Sequence, residues 1–580
     1  MTVVETAARG GIWLIEESPA ERVFTLEKAS EEHRLIGGTA DEFIANEVVG
    51  AVEKLEAKDW ALARRLVQRC GELGLLGTDV PEELGGIGLD KVSSVIVGEA
   101  VGRVASFATT FGAQTGLAIT PLLCFGTAEQ KARYVPKLVS GELIGAYALS
   151  ESGAGSDALG AKARATRLPD GSFSLNGEKM WITNGGFADL FIVFAKVDGE
   201  AFTAFIVERA FPGVSNGKEE HKLGLHGSST TPLILQDAKV PAENVLGEIG
   251  KGHKVAFNVL NYGRFKLAAM CTGGARAVIA EAAKYAASRK QFGQPIASFG
   301  AIKHKLGEMV TRLYAVESML YRTAGLIDGA LRGSHENEAV LAALEEFAIE
   351  ASILKVSSSE MLHYAIDENV QIHGGNGFVR DYTAERHYRD ARVNRIFEGT
   401  NEINRLLIPG MLARRAAKGG LPVVAAAKKL QDEILTPSIG EVAGEGPLDQ
   451  ELRTVAGMKK AGLMVLGTAM QTYMQKLGEQ QEVLSYTADI LIDVFASESA
   501  VLRAGGGNDV HRAAARVFVN DAAGRVEQAA RSALAGMTEG DTLRTLQAAL
   551  RRVLKPAGTN TIALRRQIAD AALERKGYPF

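Results

Sequence analysis

A carboxylate with unusual neighbours stands late in the chain, in Arg395-Ile396-Phe397-Glu398-Gly399-Thr400-Asn401-Glu402-Ile403. Thr400 or Asn401 can cap a helix carrying Ile403, Leu406 and Leu407, which accounts for the turn residues. It does not account for Glu398 between Phe397 and Gly399. Phe397 lowers the local polarity and Gly399 lets another group approach closely, the setting a general base needs.

Four other segments hold residues suited to ligand contact. Residues 145–157, with Tyr147, Leu149, Ser150, Gly155 and Ser156, read as a strand ending in a small-residue loop. Such a loop offers backbone groups to a ligand, or simply joins helix to sheet. In Lys179-Met180-Trp181-Ile182-Thr183-Asn184-Gly185 the tryptophan can flank a flat aromatic ligand or belong to a core strand. In Arg289-Lys290-Gln291-Phe292-Gly293-Gln294-Pro295-Ile296 the arginine suits a phosphate and the phenylalanine a ring, though the segment also serves as a helix-to-helix connection. Gln371-Ile372-His373-Gly374-Gly375-Asn376-Gly377-Phe378 packs glycines after a helix, but it is not a G-x-G-x-x-G fingerprint and no βαβ unit surrounds it.

The elements that must position these residues emerge from length and pattern. A chain of 580 residues exceeds one core and predicts three or four domains. A net charge of −4 excludes a basic nucleic-acid footprint. Cys70, Cys124 and Cys271 are too scattered for a metal set or a disulfide framework, which fits a reducing compartment. Glu5, Glu16, Glu17, Glu21 and Glu27 argue against a signal or transit peptide, so the expectation is cytoplasmic. The uncharged residues 105–128 include Gln114 and Pro121, and suit a buried helix better than a membrane span. The order of periodicities predicts an α+β fold, mostly α. It comprises an N-terminal arm (1–38), a helical bundle (39–144), a β-barrel-like middle domain (145–249), a four-helix bundle (250–408), a linker with one short helix (409–447) and an additional C-terminal helical bundle (448–580). Arg414, Arg415, Lys418, Lys428 and Lys429 in that linker read as a solvated helix or as a peripheral contact with an anionic membrane.

Taken in order, these segments resemble the acyl-CoA dehydrogenase family. Its motifs are T/S-E-x-x-x-G-S-D, W-I-T/S-N-G, R-x-x-F-G-x-x-I, Q-x-x-G-G-x-G and E-G-T. Each is weak alone, but five in order across about 260 residues are specific. The helices past residue 447 and the ending Gly577-Tyr578-Pro579-Phe580 resemble the very-long-chain subgroup.

The resemblance implies FAD between the β domain and the helices after it. Tyr147, Leu149, Ser150, Gly155, Ser156, Trp181, Ile182 and Thr183 would line the flavin, largely through backbone groups. Arg289, Phe292, Gln371, Gly374 and Gly375 would reach the FAD of a neighbouring subunit, which implies a homodimer. Thr400, Asn401 and Glu402 would also touch FAD. Ser156, Asn261, Tyr262, Gly263, Arg264 and Gly399 would hold the acyl-CoA. Glu398 would remove the α-proton in the first step of fatty-acid β-oxidation, giving a trans-2-enoyl-CoA. Some members place the base just before the helix arginine, where this chain has Gly263. Electron-transferring flavoprotein is the implied acceptor, and no metal is implied. An oxygen-using oxidase and a non-enzymatic scaffold stay open. Gly112, Gly116 and Ala118 would leave room for a long acyl chain, while Pro121 departs from the subgroup's glycine. Ser152, His226 and Lys303 also depart from common family residues.

Overall fold

The computed structural model describes residues 9–435, 446–555 and 558–580. Its first helix, Glu31–Phe43, begins where Ser30 accepts a hydrogen bond from the His33 N–H at 3.2 Å. The expected arm to residue 38 is therefore shorter. Residues 9–29 are also not a free arm. Trp13 and Leu14 are buried, the Trp13 ring meets Phe495 at 4.9 Å, and its Nε1 donates to Glu350 at 2.8 Å. Burying side chains of this size contributes roughly 1.5–3 kcal/mol each.

Helices Trp60–Glu72, Lys91–Val101, Ala105–Gly112, Thr120–Phe125 and Ala128–Val139 complete the first helical unit. A π-helical turn, Ala113–Ile119, joins the third and fourth of these. Inside it Gln114 donates to the carbonyls of Leu138 and Leu143 and accepts from the Gly145 N–H, so the π turn is tied to the start of the sheet.

The sheet contains β1 (Gly145–Ala148), β2 (Arg164–Arg167), β3 (Phe173–Thr183), β4 (Leu190–Val197), β5 (Ala201–Glu208), β6 (Val214–Asn216), β7 (Thr230–Val240) and β8 (Val245–Leu246). Its order is β6-β7-β3-β2-β4-β5-β8, and β1 pairs with β4 in parallel. β4 reads Leu-Phe-Ile-Val-Phe-Ala-Lys-Val and is buried on both faces, as an apolar run without alternation should be. The β3–β7 register slips between Lys179 and Ile182, forming a bulge around Trp181.

Helices Gly252–Ser288, Gly300–Leu331 and Ala348–His373 come next, then Ala384–Ala391 and Asn401–Ala417. The last of these passes through Pro409, contrary to the linker reading, because Ile408, Pro409 and Leu412 are all buried. Leu421, and Val423 and Leu430 of the following helix Val423–Leu435, then pack into the core. Arg415 binds Glu346 and the Gly10 carbonyl. Among the described side chains of this segment, the apolar ones are thus largely used internally, with Val424 exposed. Among the described residues no helix is long and apolar enough to cross a membrane.

Helices Asp449–Tyr473, Gln481–Gly505, Asp509–Met537, Gly540–Val553 and Thr561–Arg575 form the C-terminal unit. It shares one continuous apolar core with helices Gly252–Ser288 and Gly300–Leu331.

Candidate active site

Glu398 sits in a turn with two successive left-handed residues, Glu398 at φ 58° and Gly399 at φ 77°. A non-glycine residue there costs about 1–2 kcal/mol, so the turn must be held from outside. Asn404 holds it, its Nδ2 donating to the carbonyls of Gly399 at 2.9 Å and Thr400 at 3.0 Å. Arg264 Nε donates to the Glu398 carbonyl at 3.1 Å. Thr400 caps the following helix by accepting from the Ile403 N–H.

The Glu398 carboxylate is treated differently from its backbone. Its Oε2 is buried and has no hydrogen-bond partner among the described residues. Burial raises its pKa to about 7, with the charges of Arg264 and Lys355 pulling the other way. Lys355 is itself buried and pushed down to about 8 by desolvation, its Nζ donating to Asn401 at 2.6 Å. The Tyr147 hydroxyl is a second buried group without a partner among the described residues, and burial and the Glu398 charge raise its pKa. Gly263 leaves room for the carboxylate: a Cβ on it would lie 2.7 Å from Glu398 Oε2 and make that side chain shift.

A narrow cavity of about 110 Å³ runs from Glu398. One wall is a single face of helix Gly252–Ser288, with Gly263, Leu267, Met270, Cys271, Gly274 and Val278 spaced by three and four. The facing wall is made of small residues: Ala105, Ala108, Gly112, Ala113 and Gly116. A third wall descends from Glu398 through Phe397, Asn394 and Ala391 to His387. Ala118 does not join the expected wall of small residues, because it packs against Gly145. Pro121 is buried in the first turn of its own helix and does not line the cavity.

The β domain meets this cavity at Thr183. The bulge in β3 turns Trp181 outward at φ 58°, leaving it 57% exposed. Bulges often re-aim a side chain beside an active site. Ile182 points into the core, so only its backbone can meet a ligand. Lys179, fully buried, donates to the Leu149 carbonyl and Glu151, while the Met180 N–H donates to the Ser150 carbonyl. Gly155 and Ser156 lie exposed on the loop those bonds anchor.

Other sequence candidates lie elsewhere. Asn261 accepts from Arg264 at 2.9 Å, beside the Glu398 turn. The Tyr262 hydroxyl turns away, donating to Asp79 in a buried group with Lys91, Ser94 and Lys266. Asn401 is buried and bonded to Lys355, Ser359 and Glu360, so its side chain holds the helix; Glu402 is exposed. Arg289, Phe292, Gln371, Gly374 and Gly375 form an exposed group of their own, Phe292 being 92% exposed. The nearly continuous helix from Gly263 puts Arg289 about 39 Å away at 1.5 Å per residue, so these residues do not converge on Glu398. His226 bonds the Lys222 carbonyl, and Lys303 bonds Asp570. Lys355 and Asn404 are site residues that sequence reasoning misses, although a lone charge in Ile353-Leu354-Lys355-Val356 is a readable signal. Among the described residues no cluster fits a metal ion.

Residues 30–142 match the acyl-CoA dehydrogenase N-terminal domain, residues 146–238 the middle domain, and residues 250–412 and 457–552 two families each described as the acyl-CoA dehydrogenase C-terminal domain. A probable acyl-CoA dehydrogenase of Bacillus subtilis (strain 168) is 46% identical over 584 residues, covering 98% of each chain. The crystal structure of an acyl-CoA dehydrogenase complexed with FAD from Bacillus anthracis aligns with TM-score 0.96 at 47% identity, covering 99% of this chain and 100% of that one. The very long-chain specific acyl-CoA dehydrogenase of Homo sapiens mitochondria is 41% identical over 369 residues, which are 62% of this chain and 53% of that protein. With domain order, length and fold in agreement, this chain belongs to the acyl-CoA dehydrogenase family.

Proposed function

We propose that this enzyme removes the α-proton and β-hydrogen of a long-chain fatty acyl-CoA, giving the trans-2-enoyl-CoA. The observation that carries this is a buried, unpartnered carboxylate at the head of a long apolar tunnel. FAD is the cofactor, and when bound it supplies the acceptor for the β-hydrogen. The residues present fit it: the Tyr147 hydroxyl is left unpaired, Trp181 stands outward on its bulge, and Leu149 to Ser156 form an anchored small-residue loop.

Glu398 takes the α-proton. With a pKa of about 7 it is a usable base near neutrality and is poised to accept a proton. Its own backbone N–H donates to no group among the described residues, which suits it to hold the thioester oxygen as negative charge develops there. Gly263 and Gly399 let the thioester approach, and Arg264 keeps the turn in place. Tunnel walls that are mostly apolar, with Lys266 and Thr109 among the polar residues on them, exclude water as the chain enters.

Two helical rulers measure the tunnel. Gly263 to Val278 is fifteen steps of one helix, about 22 Å. Glu398 back to His387 is eleven steps of mixed α and 3₁₀ backbone, roughly 17–20 Å. An extended chain advances about 1.2 Å per bond, so the tunnel takes on the order of 14–18 carbons.

The exposed group at Arg289, Phe292 and Gln371–Gly375 lies too far from Glu398 to share its cofactor. We assign it to the adenine-diphosphate end of FAD in a second copy, which makes a homodimer the working unit. Electron-transferring flavoprotein is the acceptor assigned on family membership. Anaerobic mixing with butyryl-, octanoyl- and palmitoyl-CoA tests the reading. Flavin bleaching fastest with palmitoyl-CoA, and slow peroxide formation in air, is the expected result. No bleaching with any acyl-CoA overturns it, and rapid peroxide formation replaces the acceptor with oxygen.

A further inference from the structure

The far end of the tunnel has a specific occupant. His387 is the last residue of the third wall, and it borders two further cavities. One is a crevice of only about 10 Å³, shared with Ala105 and Arg103. The other is an open groove of about 880 Å³ between the first helical unit and helix Gly252–Ser288. The same imidazole thus faces the inside of the acyl tunnel and the outside.

His387 is held loosely for a residue in that position. Its side chain makes no hydrogen bond among the described residues, and its nearest charged partner is Glu281, at 3.7 Å from Nε2. Glu281 is fixed by other groups, accepting from Asn369 at 3.0 Å and from the Thr383 hydroxyl. The His387 side chain is 17% exposed, so packing rather than bonding keeps it in place. The wall is therefore one side chain thick. Beyond it the groove is lined by Arg103, Lys284 and Arg386, a poor environment for a methyl terminus.

We propose that His387 is the end wall of the acyl tunnel and sets the longest chain the enzyme accepts. This rests on the acyl-CoA dehydrogenase reading and names the residue that limits its substrate. A chain within the tunnel gains burial for every added carbon until it meets the ring. Past that point each carbon must displace the imidazole or fold back, and the gain stops. Shortening the side chain joins the tunnel to the groove, and enlarging it shortens the tunnel.

The test compares the FAD-loaded parent with His387→Ala and His387→Phe. Two quantities are read for dodecanoyl, palmitoyl, eicosanoyl and tetracosanoyl chains: flavin bleaching rate with the acyl-CoA, and calorimetric Kd for the non-oxidisable 3-thia-acyl-CoA of equal length. One buried methylene is worth about fourfold in affinity, so two regained carbons give His387→Ala about fifteenfold tighter binding of the eicosanoyl analogue. Dodecanoyl affinity stays within about twofold, since that chain does not reach the wall. His387→Phe loses affinity for palmitoyl first. Length profiles of both variants that superimpose on the parent overturn the proposal. If His387→Ala fails to hold FAD, the His387→Phe profile alone decides, with an unchanged palmitoyl Kd as the contrary result. Tight binding with no bleaching in the parent would overturn the dehydrogenase reading instead, while the Kd series still tests the wall.

Discussion

Two buried glutamates in this molecule have opposite fates. Glu317, on helix Gly300–Leu331, accepts hydrogen bonds from Arg276, from Arg503 at 2.7 Å and from the Tyr578 hydroxyl at 2.9 Å. Those arginines hold its carboxyl below the usual range despite complete burial. Glu398 has two cations in its neighbourhood but no partner on Oε2 among the described residues, and burial carries it up to about 7. Burial is common to both, so partners decide the protonation state. Glu317 joins helix Gly252–Ser288 to the C-terminal unit, and its hydrogen-bonding capacity is satisfied within the protein. Glu398 keeps a free lone pair for a molecule from outside.

Removing each side of that contrast gives the largest effects. Glu398→Gln keeps the fold and FAD but lowers turnover by at least about 10³-fold, measured by steady-state rates. Arg503→Met leaves the Glu317 carboxylate short of one arginine and Glu27 without its closest cation. It lowers stability by about 3–5 kcal/mol in chemical denaturation, and kcat of the folded fraction stays near the parent value. Gly263→Ala pushes against the Glu398 carboxylate, which is 2.7 Å from the new Cβ, and lowers kcat by about 10²-fold while the flavin spectrum is retained.

The contrast also appears in pH. Native Glu398 binds its proton up to about 7, whereas the unfolded chain releases it near 4.5. Between those values the folded state holds more protons, so stability falls as pH rises through that window, by about 3 kcal/mol in total. Glu398→Gln lacks this slope and is the more stable protein above neutrality in urea titrations. Glu317 has the opposite sign: its contribution is present above its unfolded pKa and is lost as acid protonates it. The smallest expected effect is Thr400→Ala, which removes the cap after the Glu398 turn and costs about 1 kcal/mol.

Much of the site was legible because its signals are local. Glu398 between Phe397 and Gly399, and Gly112 and Gly116 in an uncharged stretch, announce themselves in sequence. Ala118 misled because residues 113–119 form a π-helical turn, whose extra residue rotates its later side chains off the expected face. Pro409 read as a breaker, yet burial of Ile408 and Leu412 carries the helix through it. The N-terminal segment read as an arm because Trp13 finds Phe495 and Glu350 hundreds of residues away. The same holds for Glu317, whose partners come from separate helices and from Tyr578, far along the chain.

If Glu398 is the base, and is left unpartnered for that purpose, its protonation must govern flavin reduction. Anaerobic stopped-flow bleaching of the bound flavin by palmitoyl-CoA, across pH 5.5–8.5, reads this in the parent and in Glu398→Gln, both loaded with FAD. The parent rate is expected to rise with pH and level off above about 7, and Glu398→Gln to bind the acyl-CoA without bleaching. Bleaching of Glu398→Gln at the parent rate would take the role of base away from Glu398.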